Sequence, residues 1–299
     1  MSHIMKLARV VVASCGLTKE QAEQRGWFFL PLMVTIDGKE YTDGVDLTAR
    51  TFSQVFHSES KASTSFTPIG YTMELLKKIS SEYDFVIIYP ISQYLSSQMQ
   101  NLEVIAKEHK NVFVIKSKSV AQLIVRDLVE LEQSVLKNEL TVKQAIDKIE
   151  KRSSSNLTEV LLFPESMDAL VRGGRVSSTM ANIGKLLKIT PVISLQNGKL
   201  EKFAKGRTFT KTVVNYTVDH YNKLKSKGKN LVIAFLDAVN PNADNLFFQI
   251  RNEIPNYKYD PIRFSIPPVI AAHVGFGAVC AFILELERPV EDYQFDKID

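Results

Sequence analysis

Cysteine is nearly absent from this chain: Cys15 and Cys280 are the only two among 299 residues. There is no C-x-x-C pair and no histidine cluster at metal-ligand spacing, so a disulfide framework and a zinc site are both unexpected. An excess of charge is missing as well, since 37 Lys and Arg against 33 Asp and Glu leave only +4. No basic run stands out that would hold nucleic acid. Neither G-x-x-x-x-G-K-[ST] nor G-x-G-x-x-G occurs, which removes the common nucleotide cradles. No serine lies in a G-x-S-x-G elbow, so a Ser/His acyl-ester hydrolase built on Ser96 and His273 is the weaker alternative. The N-terminus has no apolar segment ahead of a small-residue cleavage site, and a reduced, cytoplasmic setting is therefore expected. The longest apolar stretch, Ile266 to Leu284, opens on Pro267-Pro268, carries His273 and breaks at Gly275 and Gly277. It reads as a strand, a loop and another strand rather than as a bilayer helix.

What remains is an ordinary globular composition, 45% hydrophobic and 23% charged, at a length that favours two domains. Residues 1–154 alternate strand and helix patterns. Ala8 to Ala13 is a continuous apolar run suited to a parallel strand covered on both faces. It empties into Ser14-Cys15-Gly16, after which Thr18 and Gln21 have capping-box spacing. Phe29 to Ile36 reads as one strand, turned back at Asp37-Gly38 into Lys39-Glu40-Tyr41. A helix is expected around Ala49 to His57, and a hydroxyl-rich loop from Lys61 to Pro68 precedes another from Ile69 to Ser81. Val86 to Tyr89 is a buried strand that runs into Ser92, Ser96 and Ser97 before a further helix begins. Strand ends of this kind, followed by a helix start, suit an anion or simply a helix cap.

Residues 155–299 have a different rhythm, with a polar link near Ser153-Ser154-Ser155. Strands are expected at Thr158 to Phe163, Leu231 to Leu236 and Tyr259 to Phe264, and helices at Glu165 to Val171, Ser177 to Lys188 and Asn242 to Ile254. Asn197-Gly198 joins two strands as a hairpin. The expected fold is thus α/β: an N-terminal, mostly parallel sheet domain and a C-terminal α+β domain with a largely antiparallel sheet.

Six short stretches, in order, make the chain resemble the DegV family. They are Ala13-Ser14-Cys15, Asp37-Gly38-Lys39-Glu40-Tyr41 with Asp43-Gly44-Val45-Asp46, Thr64-Ser65, Leu95-Ser96-Ser97-Gln98-Met99-Gln100, Gly173-Gly174-Arg175-Val176-Ser177 and His273-Val274-Gly275-Phe276-Gly277-Ala278. The resemblance implies a protein that holds a long-chain fatty acid in a buried tunnel and is itself no enzyme. It implies no cofactor. Its partner would be a separate kinase subunit, related to dihydroxyacetone kinases, that phosphorylates the acyl carboxylate. Carried over by motif, Thr64, Ser96 and His273 bind the carboxylate, with Ser14, Cys15, Ser65 and Ser97 as neighbours of the head. Arg175 and Arg207 serve the kinase encounter or the phosphorylated head. Exchange of lipid implies transient contact with a membrane surface. The chain departs from the family at Ala13, Cys15, Phe66-Thr67-Pro68-Ile69 and Ser97-Gln98-Met99, all beside the implied head region.

Overall fold

The computed structural model describes residues 5–152, 158–177, 180, 189–227, 230–254 and 258–298. Three sheets organise them. The first is wholly parallel, in the order β2 (Phe28–Leu30), β1 (Leu7–Val12), β6 (Phe85–Tyr89), β7 (Val112–Val114). Its β1 and β6 are apolar at nearly every position because helices and loops cover both faces. A small antiparallel sheet follows in the order β4 (Lys39–Asp43), β3 (Leu32–Ile36), β5 (Ala62–Ser65). The expected single strand from Phe29 to Ile36 is therefore two. Pro31 cannot donate to a ladder and divides it, so that its halves serve different sheets. The Lys61 to Pro68 loop also needs correction, since Ala62–Ser65 is a strand paired with β3.

The third sheet has six strands, ordered β10 (Lys199–Gly206), β9 (Thr190–Gln196), β8 (Glu159–Phe163), β13 (Val279–Glu285), β11 (Leu231–Asp237), β12 (Ile262–Ser265). Only β11 and β12 run parallel. Side chains alternate across it with the period of two that strands impose. Leu161, Phe163, Ile233, Phe235, Ala281 and Ile283 form a closed core with the helices Phe209–Lys225 and Ala243–Glu253. Their neighbours Val160, Leu162, Leu236, Cys280 and Phe282 point the other way, toward the parallel-sheet lobe. The apolar core on that side is continuous between lobes, running from Val10 and Ile88 to Ala234 and Phe282.

The Ile266 to Leu284 stretch is a helix, Pro268–Val274, followed by β13, in place of the two strands expected. Pro268 sits at the first helical position, where its missing N–H costs nothing, and Gly275 ends the helix at φ 92°. Both hairpin dipeptides turn as their sequences require: Asp37-Gly38 at φ 49° and 84°, Asn197-Gly198 at 49° and 83°. The second also docks the lobes, since Ser92 Oγ donates to Gly198 O at 2.7 Å. A side chain at Gly198 would come within 2.6 Å of that hydroxyl, so glycine serves both the turn and the contact. The expected link at Ser153-Ser154-Ser155 and most of the expected helix from Ser177 to Lys188 lie outside the described residues. No described helix is long and apolar enough to cross a membrane.

Candidate functional site

Between the inner face of the six-stranded sheet and the loops that leave the parallel strands lies a cavity of about 140 Å³. One water needs roughly 10–15 Å³ on the same scale, so the space suits a ligand rather than a solvent molecule. Its wall is mostly hydrocarbon. Val160, Leu162, Leu195, Leu200, Leu236 and Phe282 come from the sheet, with Leu32, Ile91, Val120 and Val269 from the elements opposite. The lining chains share sheet rungs: Cys280 pairs with Leu236 on one side and with Leu162 on the other.

One part of the wall is polar, and three elements build it. Thr64 stands on β5, opposite Val34 of the central strand of the small sheet. His273 lies in the last turn of the helix Pro268–Val274, and its Nε2 is 2.8 Å from Thr64 Oγ1. The position of that helix is set at its other end, where the Val269 N–H donates to Asp43 Oδ2 at 2.9 Å. Asp43 ends β4, so the small sheet that carries Thr64 also holds the helix that carries His273. A buried carboxyl oxygen at a helix start satisfies a donor that lacks an intrahelical partner. The sequence shows Asp43 only as part of a motif, because its partner lies 226 positions away.

Arg175 completes this end. Its Nε donates to Leu95 O at 3.2 Å and Nη1 to Gly173 O, which leaves the guanidinium bordering the cavity. Burial, joined by the nearby Arg175 charge, pushes the His273 imidazole down to about 4, so the ring is neutral at pH 7. Gly173 lets the two approach: a Cβ there would lie 2.8 Å from His273 Nδ1. Among the described residues the ring is paired with Thr64 and influenced by Arg175, with no carboxylate in the orienting position of a hydrolase. Ser96 also borders the cavity, and its Oγ accepts from the Gln98 N–H at 3.2 Å.

The other expected residues divide. Ser14 and Ser65 border the cavity with Thr64, Ser96, Arg175 and His273. Cys15 is buried apart from the cavity wall, its thiol pushed up to about 12 by burial, with the Leu17 N–H 3.5 Å from its sulfur. Ser97 and Arg207 are exposed and lie outside the wall. The apolar wall itself is legible only afterwards. Its signal was the strand alternation that puts Val160 and Leu162, or Cys280 and Phe282, on one face.

Such an arrangement can hold an amphiphile. Hydrocarbon fills the apolar part, while hydroxyls, a neutral imidazole and an arginine meet an anionic end. Fold and cavity together define a class of α/β proteins in which a parallel and a largely antiparallel sheet flank an apolar cavity with one polar side. Within it, this chain belongs to the DegV family, whose model, described as "Uncharacterised protein, DegV family", matches residues 6–286. A DegV domain-containing protein of Mycoplasmopsis pulmonis is 39% identical, with 96% of this chain and 98% of that protein covered. Among solved structures, a fatty-acid-binding DegV family protein of Streptococcus agalactiae superposes with a TM-score of 0.79 at 25% identity, covering 94% of this chain and 99% of that one. A DegV family protein of Thermus thermophilus, described for its fatty acid binding, has the same fold, with a TM-score of 0.81 at 20% identity and 94% and 100% coverage.

Proposed function

We propose that the protein binds one long-chain fatty acid, tail in the apolar chamber and carboxylate at Thr64, Ser96 and His273, and presents the head to a separate kinase subunit. The observation that carries this reading is the Thr64–His273 pair, 2.8 Å apart, set into a wall otherwise made of hydrocarbon. Residues 1–154 and 155–299 act in it as two domains that enclose the ligand. Arg175 offsets the head's charge, and exposed Arg207 is available to an anionic partner or to the phosphorylated head.

The energetics favour a carrier. A tail of about 15 methylenes at ~0.8 kcal/mol each contributes on the order of 12 kcal/mol before ordering costs. Each charge-assisted bond to the head adds roughly 1.5–3 kcal/mol and mainly offsets the cost of burying the charge. Protein purified from a bacterial host is expected to release about one equivalent of fatty acid on denaturing organic extraction, read by mass spectrometry. Protein that is empty and fails to bind a fluorescent acyl probe contradicts the reading. The kinase step is tested by mixing loaded protein with a dihydroxyacetone-kinase-like subunit and ATP and following acyl phosphate.

Gly173→Ala probes the head alone. The added methyl pushes His273 off Thr64, and overpacking of this kind costs about 1–3 kcal/mol. The expected result is about tenfold weaker binding of an acyl probe, with a Tm lower by a few degrees. Unaltered affinity would take His273 out of the head site.

A further inference from the structure

Ser14 is the one buried polar residue on the cavity wall whose hydroxyl has no partner among the described residues. It is fully buried, and its Oγ makes no hydrogen bond to the described residues. Leaving a buried donor unsatisfied is costly, and native proteins do so rarely. The neighbouring wall is unusual in two further ways. Ala121, which borders the cavity, is held at φ 47°, ψ −136°, and begins the 15-residue helix Gln122–Leu136 with no side-chain cap. Strain at a non-glycine residue is typical of positions that grip ligands. Behind it, Gln122 is wholly buried with neither amide atom paired, against Gly16, where a Cβ would lie 2.5 Å from its Nε2.

This polar spot lies apart from the head site. Gly16 packs beside Pro267, at the start of the helix whose last turn carries His273. Five to six residues at 1.5 Å each put the two ends roughly 7–9 Å apart along the axis. Ser14 lies on the turn Ala13–Cys15 that Gly16 closes, so it borders the cavity toward the start of that helix.

We infer that Ser14 forms an in-chain polar subsite that selects acyl chains bearing a hydroxyl or oxo group on their carboxyl half. The inference rests on the fatty-acid reading above and names the substrate class within it. A chain oxygen at that position pairs with Ser14 Oγ, whereas a saturated chain leaves the hydroxyl facing methylenes. A site that hydrogen-bonds a ligand group discriminates against the analogue lacking it because the protein's own buried group is left unpaired.

The test is displacement of a fluorescent fatty acid by hexadecanoic acid and by its monohydroxylated positional isomers, for the intact chain and for Ser14→Ala. In the intact chain, one isomer or two adjacent ones are expected to bind about tenfold more tightly than hexadecanoic acid. Ser14→Ala is expected to erase that preference by weakening the hydroxylated isomers to the level of hexadecanoic acid. Equal or weaker binding of every isomer by the intact chain overturns the inference, with a trapped water as the partner of Ser14. A preference that survives Ser14→Ala overturns it as well. Equal weakening of all ligands by Ser14→Ala makes the residue a carboxylate ligand and also overturns it. Failure of hexadecanoic acid and all its isomers to bind the intact chain defeats the fatty-acid reading itself, an outcome distinct from the others.

Discussion

Cys280→Trp is expected to leave the protein folded and empty of lipid. Cys280 occupies the middle of a rung, between Leu162 and Leu236, and all three side chains border the cavity. An indole there extends into the cavity that the proposed reading gives to the tail, so the insertion fills a void rather than overpacking a full core. Excluding about six methylenes removes on the order of 5 kcal/mol of binding, or more than a thousandfold in affinity. No single head contact is worth as much, since a charge-assisted hydrogen bond returns roughly 1.5–3 kcal/mol. Extraction and mass spectrometry should find less than a tenth of the lipid carried by the unaltered protein, with helical and strand content preserved by circular dichroism. The melting temperature then reports the empty state, lacking the increment that bound ligand adds. Retention of a full-length acyl chain at the original stoichiometry would show that the tail runs elsewhere.

The contrast between the apolar wall of the cavity and its polar part explains which parts of this molecule were legible in its sequence. Strands such as Phe85–Tyr89 and Leu231–Asp237 announce themselves because burial on both faces demands an unbroken apolar run. Turn chemistry was equally plain at Asp37-Gly38 and Asn197-Gly198, and the Thr18 and Gln21 spacing does form a capping box. Pattern misled where it was suppressed. The helix Pro268–Val274 is apolar almost all round because it is enclosed almost all round, and seven residues are too few to display a period. The strand Ala62–Ser65 has small and hydroxyl side chains throughout and earns its place by pairing with β3 rather than by alternation. The helix Phe209–Lys225 carries Thr, Val and Tyr along its length, β-formers that obscure its spacing. The polar end of the cavity was visible only as separate motifs. Thr64 and His273 are 209 positions apart, and no local spacing carries the information that a sheet and a helix bring them within 2.8 Å.

Asp43→Asn is expected to change the pH dependence of stability strongly, because this carboxyl ties the small sheet to the His273 helix from a fully buried position. Burial pushes its pKa from 3.8 up to about 8, against the opposing pull of the Val269 and Gly44 N–H donors, and Asp46 adds to the rise. Since the folded value lies above the unfolded one, the contribution of this group to stability is complete below about pH 4 and is lost as pH rises toward about 8. Over that window the unaltered protein should lose about 1.4 kcal/mol per pH unit from this site, on the order of 5 kcal/mol in all. Asparagine is nearly the same shape, its amide oxygen still accepts the Val269 N–H, and it does not titrate. Denaturant midpoints measured on lipid-free protein should therefore nearly coincide for the two at pH 4 and separate steadily to pH 8, with the variant the more stable. His273 acts in the opposite sense, because its lowered pKa removes stability as pH falls toward about 4, so the divergence between variant and parent isolates Asp43. Should the two curves run parallel from pH 4 to pH 8, the Asp43 carboxyl is ionised in the folded protein, and the helix is held by a charge at its start rather than by a neutral acid.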